Sequence, residues 1–358
     1  MTMLAAPPTP PTAAPSALVE HGLLPRWAPA AIGGAALVAA AAIVLVIGFS
    51  VPGLIVIAAI LYAVGTFAIS RRVEGRRKST DRLVTTVVTG AFALALVPLV
   101  SVSWTVVQNG LPGLSSGFLV NDMRGVIGEG GGAFHAIVGT LLITGFAAVI
   151  SVPVGLLAAI YLIEYGTGRL ARAITFFVDV MTGIPSIVAG LFAYALFALF
   201  FGPGVRLGAA GSVALTLLMT PVVVRSCEEM LKLVPNELRE ASYALGVPKW
   251  RTIVKIVLPT AIAGIATGIT LAIARVIGET APLLIAAGFT QSTNWDLFHG
   301  RMTTLPVLAF YSFTQPGFPP EAGIQRAWAA ALILILIVMA LNLLARLISR
   351  IFAPEVVR

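Results

Sequence analysis

Between Trp27 and Arg71 the chain carries no charged residue, and apolar runs of the same character recur along most of its length. A helix rises 1.5 Å per residue, so about 20 apolar residues cross a ~30 Å hydrocarbon core. No water reaches backbone N–H and C=O groups there, so only helices or a closed barrel can satisfy them. The runs are long and show no strand alternation, which leaves helices. Residues 28–48, 51–69, 83–107, 135–161, 173–201, 209–225, 260–287 and 327–344 predict about eight spans in an all-α polytopic membrane protein. The composition agrees: 58% hydrophobic and 11% charged, against about a quarter charged in soluble domains.

The 23 Lys and Arg exceed the 15 Asp and Glu, a net +8 that in a soluble protein would suggest nucleic acid. Here the charge is read as topology, with no nucleic-acid partner. With both termini cytoplasmic, eighteen basic residues fall in inside segments and four outside, with Arg275 alone inside a span. The predicted organisation is a disordered Pro/Ala-rich tail (1–27), a transmembrane hairpin (28–69) and a basic cytoplasmic loop (70–82). A membrane core (83–349) with a polar loop (230–258) and a short cytoplasmic tail (350–358) complete it. The outer Gly128-Glu129-Gly130-Gly131-Gly132 stretch is read as a Gly-rich loop rather than a phosphate nest. One cysteine, Cys227, excludes an internal disulfide, and three scattered histidines offer no metal spacing. No GxxxxGK[ST] occurs, so the chain does not itself bind ATP through a P-loop, and no cofactor is expected.

The polar loop, VPNELREASYALGVPKWRTIVKIVLP, is too charged to enter lipid. Asn236 reads as a helix N-cap, Gly246 as a left-handed stop and Pro248 as the start of a second helix. A helix–turn–helix at the membrane surface is expected. The spacing Glu240-Ala241-Ser242, three residues, Gly246, nine residues, Ile256, one residue, Leu258-Pro259 resembles the cytoplasmic EAA loop of ABC-importer permeases. The resemblance implies that Arg239, Glu240, Ala241, Ser242 and Gly246 couple the chain to an ATPase subunit.

From about Gly131 to Arg346 the chain further resembles the A-type permeases of bacterial phosphate-specific ABC importers. The residues that carry this are Gly139-Thr140, Gly183-Ile184-Pro185-Ser186-Ile187-Val188 with Gly190-Leu191-Phe192, Thr220-Pro221, Arg275 through Gly278-Glu279-Thr280-Ala281-Pro282-Leu283-Leu284, and Met302-Thr303-Thr304-Leu305-Pro306. The family implies a six-helix permease core, so the first hairpin is an addition. It also implies a bacterial plasma-membrane location, a companion C-type permease, two ATP-binding subunits and an extracytoplasmic phosphate-binding protein. The chain would be a transport subunit and not an enzyme.

Charged groups at bilayer depth are costly and usually face the bundle interior. Arg275 and Glu279, placed i and i+4 on the seventh span, predict one charged face. That face is either a self-neutralising pair or, with Thr280, the lining of an anion path. Thr182 and Ser186 on the fifth span and Thr216 and Thr220 on the sixth add hydroxyls one turn apart, although such residues often serve helix packing. Asp179 is expected to pair with a basic neighbour such as Arg172. A permease for another oxyanion such as sulfate or molybdate would lack IPSIVAGLF and IGETAPLL. An intramembrane enzyme acting on lipid phosphates would need a nucleophile or a His/Asp constellation, and no span supplies one beyond the lone Asp179 and Glu279.

Overall fold

The computed structural model describes residues 22–48 and 50–352, so the expected tails over 1–21 and 353–358 lie outside the described residues. In order, the helices are α1 (Ala28–Ile47), α2 (Val51–Val73), α3 (Arg76–Gly110), α4 (Ser116–Val120) and α5 (Phe134–Ile160). They continue with α6 (Arg169–Thr182), α7 (Ser186–Phe201), α8 (Gly208–Lys232), α9 (Asn236–Ala244) and α10 (Lys249–Thr252). The last are α11 (Leu258–Val276), α12 (Ala281–Ala286), α13 (Leu305–Thr314) and α14 (Pro320–Phe352). Among the described residues seven helices are long and apolar enough to cross a membrane, and the bent pair α6–α7 raises the number to eight. The chain divides into two compact units, 1–103 and 104–358.

In the first unit α1 ends at Gly48, whose φ of +123° suits glycine and whose N–H reaches the Val44 carbonyl at 3.0 Å. α1 buries Ala28, Ala36, Ala40 and Val44, a stripe spaced in multiples of four. Small side chains let α2 approach: a Cβ on Gly65 would sit 3.2 Å from Ile32. The expected basic loop over 70–82 is instead almost wholly helical. Arg and Lys are good helix formers, and only Glu74 and Gly75, at φ +88°, separate α2 from α3. Glu74 is buried and accepts from Arg82 Nε (2.6 Å) and Nη2 (2.8 Å), Ser70 Oγ (2.7 Å) and Leu24 N (3.0 Å). Most of α3 in this unit is exposed throughout, an apolar surface suited to lipid.

The second unit is built on α5 and α8, which run parallel in close contact. A Cβ on Gly155 would sit 2.7 Å from Val223, and Gly211 lies against Ile143 and Leu283. Ser212 Oγ donates to the Ile143 carbonyl at 3.0 Å, so small residues and a shared hydroxyl replace the hydrophobic drive that lipid cannot supply. Ile143, Leu215, Met219 and Val223 are fully buried between them.

Two expected spans are broken. The fifth bends by 109° between α6 and α7. Pro185 has no N–H to continue the helix and pushes Ile184 out of helical geometry. The seventh stops at Val276, passes through Ile277–Thr280 and restarts as α12, with Pro282 in its first turn. The breaks are packed together: a Cβ on Gly190 of α7 would sit 2.6 Å from Pro282 Cα. IPSIVAGLF and IGETAPLL therefore meet in space.

At the outer end, Thr140 Oγ1 of α5 accepts from Leu305 N at 2.8 Å, and a side chain at Gly139 would collide with the Thr303 carbonyl. Thr303 Oγ1 donates to the Thr290 carbonyl (2.7 Å) and accepts from Thr290 N (2.6 Å). Asp122 accepts from Arg124 N and Thr293 N, each at 3.1 Å, and these bonds hold its carboxyl below the usual carboxylate range. In the Gly-rich loop the carbonyls of Gly128 and Gly130 accept from Arg326 Nη1, at 2.7 and 3.1 Å. The loop thus turns acceptors toward a cation, the reverse of a phosphate nest.

The Arg82 guanidinium lowers the Glu74 carboxyl to about 2. Because this pKa is depressed on folding, the contribution of Glu74 to the corner is complete above the ordinary carboxylate range and is lost as pH falls toward 2. Glu74→Ala should raise trypsin cleavage at Arg82 in inside-out vesicles about tenfold, since one charged hydrogen bond is worth ~1.5–3 kcal/mol of local closure. An unchanged rate would show that the corner is held by other contacts.

Candidate functional site

The two breaks and α8 enclose a cavity of about 240 Å³. Thr182 and Ser186 reach it from the ends of α6 and α7, Arg275 from the last turn of α11, Glu279 from within the second break, and Pro221 from α8. Four of the residues expected on an anion path are therefore neighbours, although they come from broken helices. Arg275 lies in the last turn of α11, where a cation suits the negative end of the helix dipole. Glu279 lies beyond the helix end, its N–H on the Val276 carbonyl at 3.1 Å. The two do not share a continuous helical face, and they form no ion pair. Among the described residues Arg275 and Glu279 have no ion-pair or side-chain hydrogen-bond partner.

The other expected hydroxyls lie elsewhere. Thr216 Oγ1 donates to the Ser212 carbonyl and Thr220 Oγ1 to that of Thr216, each at 2.8 Å, and neither residue lines the cavity. Both are spent inside α8, beside Pro221. Thr280 stands at the N-cap position of α12 without a side-chain capping bond and is also off the cavity wall. Thr182 Oγ1 donates to the Val178 carbonyl at 2.8 Å, which leaves its lone pairs toward the cavity. Asp179 pairs with Arg225 of α8 rather than Arg172, and Arg225 also holds Glu228 at 2.6 Å.

The polar loop folds as the expected helix–turn–helix, with two corrections. Asn236 is the first residue of α9, not its cap; Pro235 stands at the cap, and Asn236 Oδ1 accepts from Arg239 Nη1 at 3.2 Å. Arg239 points inward, its side chain only 12% exposed. It reaches Glu164 at 3.0 Å, the Val234 carbonyl at 2.6 Å and the Leu231 carbonyl at 3.0 Å, which closes the end of α8. Glu240, Ala241 and Gly246 are exposed. Gly246, at φ +73°, ends α9 with its N–H on Tyr243 O (2.9 Å) and Val247 N on Ser242 O (3.2 Å), the two bonds of a Schellman stop. Ser242 is buried, and its hydroxyl meets that of Thr252 at 2.8 Å, linking α9 to α10.

Residues 151–358 match the family profile described as binding-protein-dependent transport system inner membrane component. The chain is 51% identical over 276 residues to phosphate transport system permease protein PstA 1 of Mycobacterium tuberculosis, covering 76% of this chain and 90% of that one. It is 40% identical over 282 residues to PstA of Pasteurella multocida, covering 78% and 96%. The chain belongs to the PstA family of binding-protein-dependent transport permeases. Its fold is that of ABC-importer permeases generally. A bacterial alginate ABC transporter matches with a TM-score of 0.53 at 14% identity, over 77% of this chain and 96% of that one. The methionine transporter MetNI matches at 0.50 and 21%, over 67% and 100%. As a member of this family the chain is a multi-pass plasma-membrane transport component, and its family works with an ATPase and a substrate-binding protein.

In this PstA-family chain the exposed turn between α9 and α10 depends on Gly246. Gly246→Val has room for its side chain but not for its backbone, and should strain the turn by ~1–2 kcal/mol or more. In reconstituted vesicles it should lower the stimulation of ATP hydrolysis by loaded binding protein, as should Glu240→Lys. Normal stimulation in both variants would remove this turn from the coupling contact.

Proposed function

We propose that this chain is the membrane subunit of an ATP-driven phosphate importer, forming one half of an anion pathway. It would act beside a companion C-type permease, two ATP-binding subunits that hydrolyse ATP, and an extracytoplasmic phosphate-binding protein. The observation that carries the reading is the unpaired Arg275 guanidinium beside a polar cavity at a double helix break. An anion crossing a low-dielectric core without a counter-charge is prohibitive. Arg275 lies sixteen residues past Pro259, about 24 Å along the helix, well past the midplane toward the outer side.

The N-terminus of α7 begins at Ser186 on the same cavity; the N–H groups of Val188 and Ala189 bond the Pro185 carbonyl, which leaves those of Ser186 and Ile187 without a helical partner. Broken membrane helices use such positive ends to receive anionic groups. Guanidinium, the Ser186 hydroxyl and the helix end together offer donors to several phosphate oxygens at once. Glu279 on the same wall keeps the site from holding its anion too firmly to release it. The relatives named phosphate transport permeases support phosphate over other oxyanions.

Arg275→Ala should abolish uptake of radiolabelled phosphate in cells lacking their own permease, with normal levels of assembled complex. Arg275→Lys should keep part of it, because a point charge loses the bidentate fork. Arg275→Ala with Glu279→Ala should remain inactive. Recovery in that double variant would mean that Arg275 serves only to balance Glu279, and the anion pathway would be assigned elsewhere.

A further inference from the structure

The only acid between Glu129 and Asp179 is Glu164, and it is buried at the inner end of the core. Its side chain is 4% exposed and sits in the wide π-turn Tyr161–Tyr165 that closes α5. Both helices of the coupling element hold this turn. From α9, Arg239 Nε donates to Glu164 Oε1 at 3.0 Å. From α10, Lys249 Nζ donates to the Glu164 backbone carbonyl and stands 4.9 Å from the Tyr165 ring centroid. Arg239 grips the carbonyls of Leu231 and Val234 as well, so one guanidinium ties α9 to the ends of both α5 and α8.

A second π-turn, Ile253–Val257, follows α10 and leads into α11. The coupling element is therefore flanked by two wide turns, local departures from the α-helical ladder of the kind that often stands at functional sites. α5 and α8 lie between this joint and the functional parts of the core. α8 supplies Pro221 to the cavity wall, opposite Arg275. α5 runs about 40 Å to its outer end, where Gly139 and Thr140 are locked on Thr303 and Leu305. Close packing and the Ser212–Ile143 bond make α5 and α8 move together.

We propose that Glu164 is the positioning residue through which the coupling element drives the α5–α8 pair, so that force applied at α9 moves the cavity wall and the outer segment Met302–Leu305 together. The Arg239–Glu164 pair carries the load, and the Lys249 contact fixes its direction. The proposal rests on the import function, and phosphate uptake by the unaltered complex serves as the control for that function.

The test is the number of phosphates transported per ATP hydrolysed, measured on purified, fully assembled complex in vesicles. Glu164→Gln keeps size and burial but removes the charge. It should lower this ratio about tenfold, the size of a typical lost coupling between sites, while ATP hydrolysis continues. Glu164→Asp, which keeps a carboxylate, should restore part of the ratio. Lys249→Met alters an exposed side chain and should lower the ratio in the same direction even if Glu164→Gln fails to assemble. An unchanged ratio in Lys249→Met, or in an assembled Glu164→Gln, would overturn the proposal. So would transport and hydrolysis that fall together in proportion to assembled complex, which marks a merely structural role. If the unaltered complex moves no phosphate, the import reading itself fails; if it does and an assembled Glu164→Gln is unaffected, only the joint is wrong.

Discussion

At membrane depth every backbone N–H and C=O must find a partner, and a broken helix is tolerated only where protein or a polar cavity receives its free ends. This chain breaks two helices, at Gly183–Pro185 and at Ile277–Thr280, and stacks the breaks on each other through Gly190 and Pro282. Much of the second unit follows from that choice. The free ends require a polar cavity, the cavity allows an unpaired guanidinium and carboxylate, and α8 is drawn against both breaks as the third wall. A guanidinium facing lipid instead would cost ~2.5–3.5 kcal/mol even on insertion scales.

The same logic explains the inner end. A coupling helix can transmit force only if it is rigid in itself and fastened to something that moves. Rigidity comes from the Gly246 stop and the Ser242–Thr252 hydroxyl pair. Fastening comes from Arg239, which points inward, and from Lys249, an exposed residue whose ammonium reaches back to the Glu164 carbonyl. The exposed Glu240 and Ala241 are left free for a partner. The loop thus separates charges that anchor it to the core from charges left open to solvent.

The number of spans, the polar loop and its Gly246 turn were legible because length, charge and a left-handed glycine leave local marks in the sequence. So was the grouping of Thr182, Ser186, Arg275 and Glu279, since polar residues in apolar runs are conspicuous. Their geometry was not. Hydropathy runs smoothly through Pro185 and Gly278, so both spans read as continuous, and the i, i+4 relation of Arg275 to Glu279 was inferred for a helix that stops at Val276. Thr216 and Thr220 share a period with packing residues, and only the backbone bonds of α8 reveal their role. Long-range partners were invisible: Arg239 finds Glu164, and Asp179 finds Arg225 rather than Arg172, across intervals that carry no local pattern. The run of basic residues after α2 hid a helix, because a charge run looks the same in a helix or a loop until Glu74 is seen to neutralise it.

Labelling of a single cysteine at Ser186 tests most directly whether an anion occupies the cavity between the breaks. The background is Cys227→Ala, since Cys227 is the chain's one cysteine and is buried. In assembled complex, phosphate at ten times its dissociation constant should slow alkylation of Ser186→Cys about tenfold, while chloride at the same ionic strength leaves the rate unchanged. In Arg275→Ala the protection should vanish. Equal alkylation rates with phosphate and with chloride would contradict the placement of the anion beside Arg275.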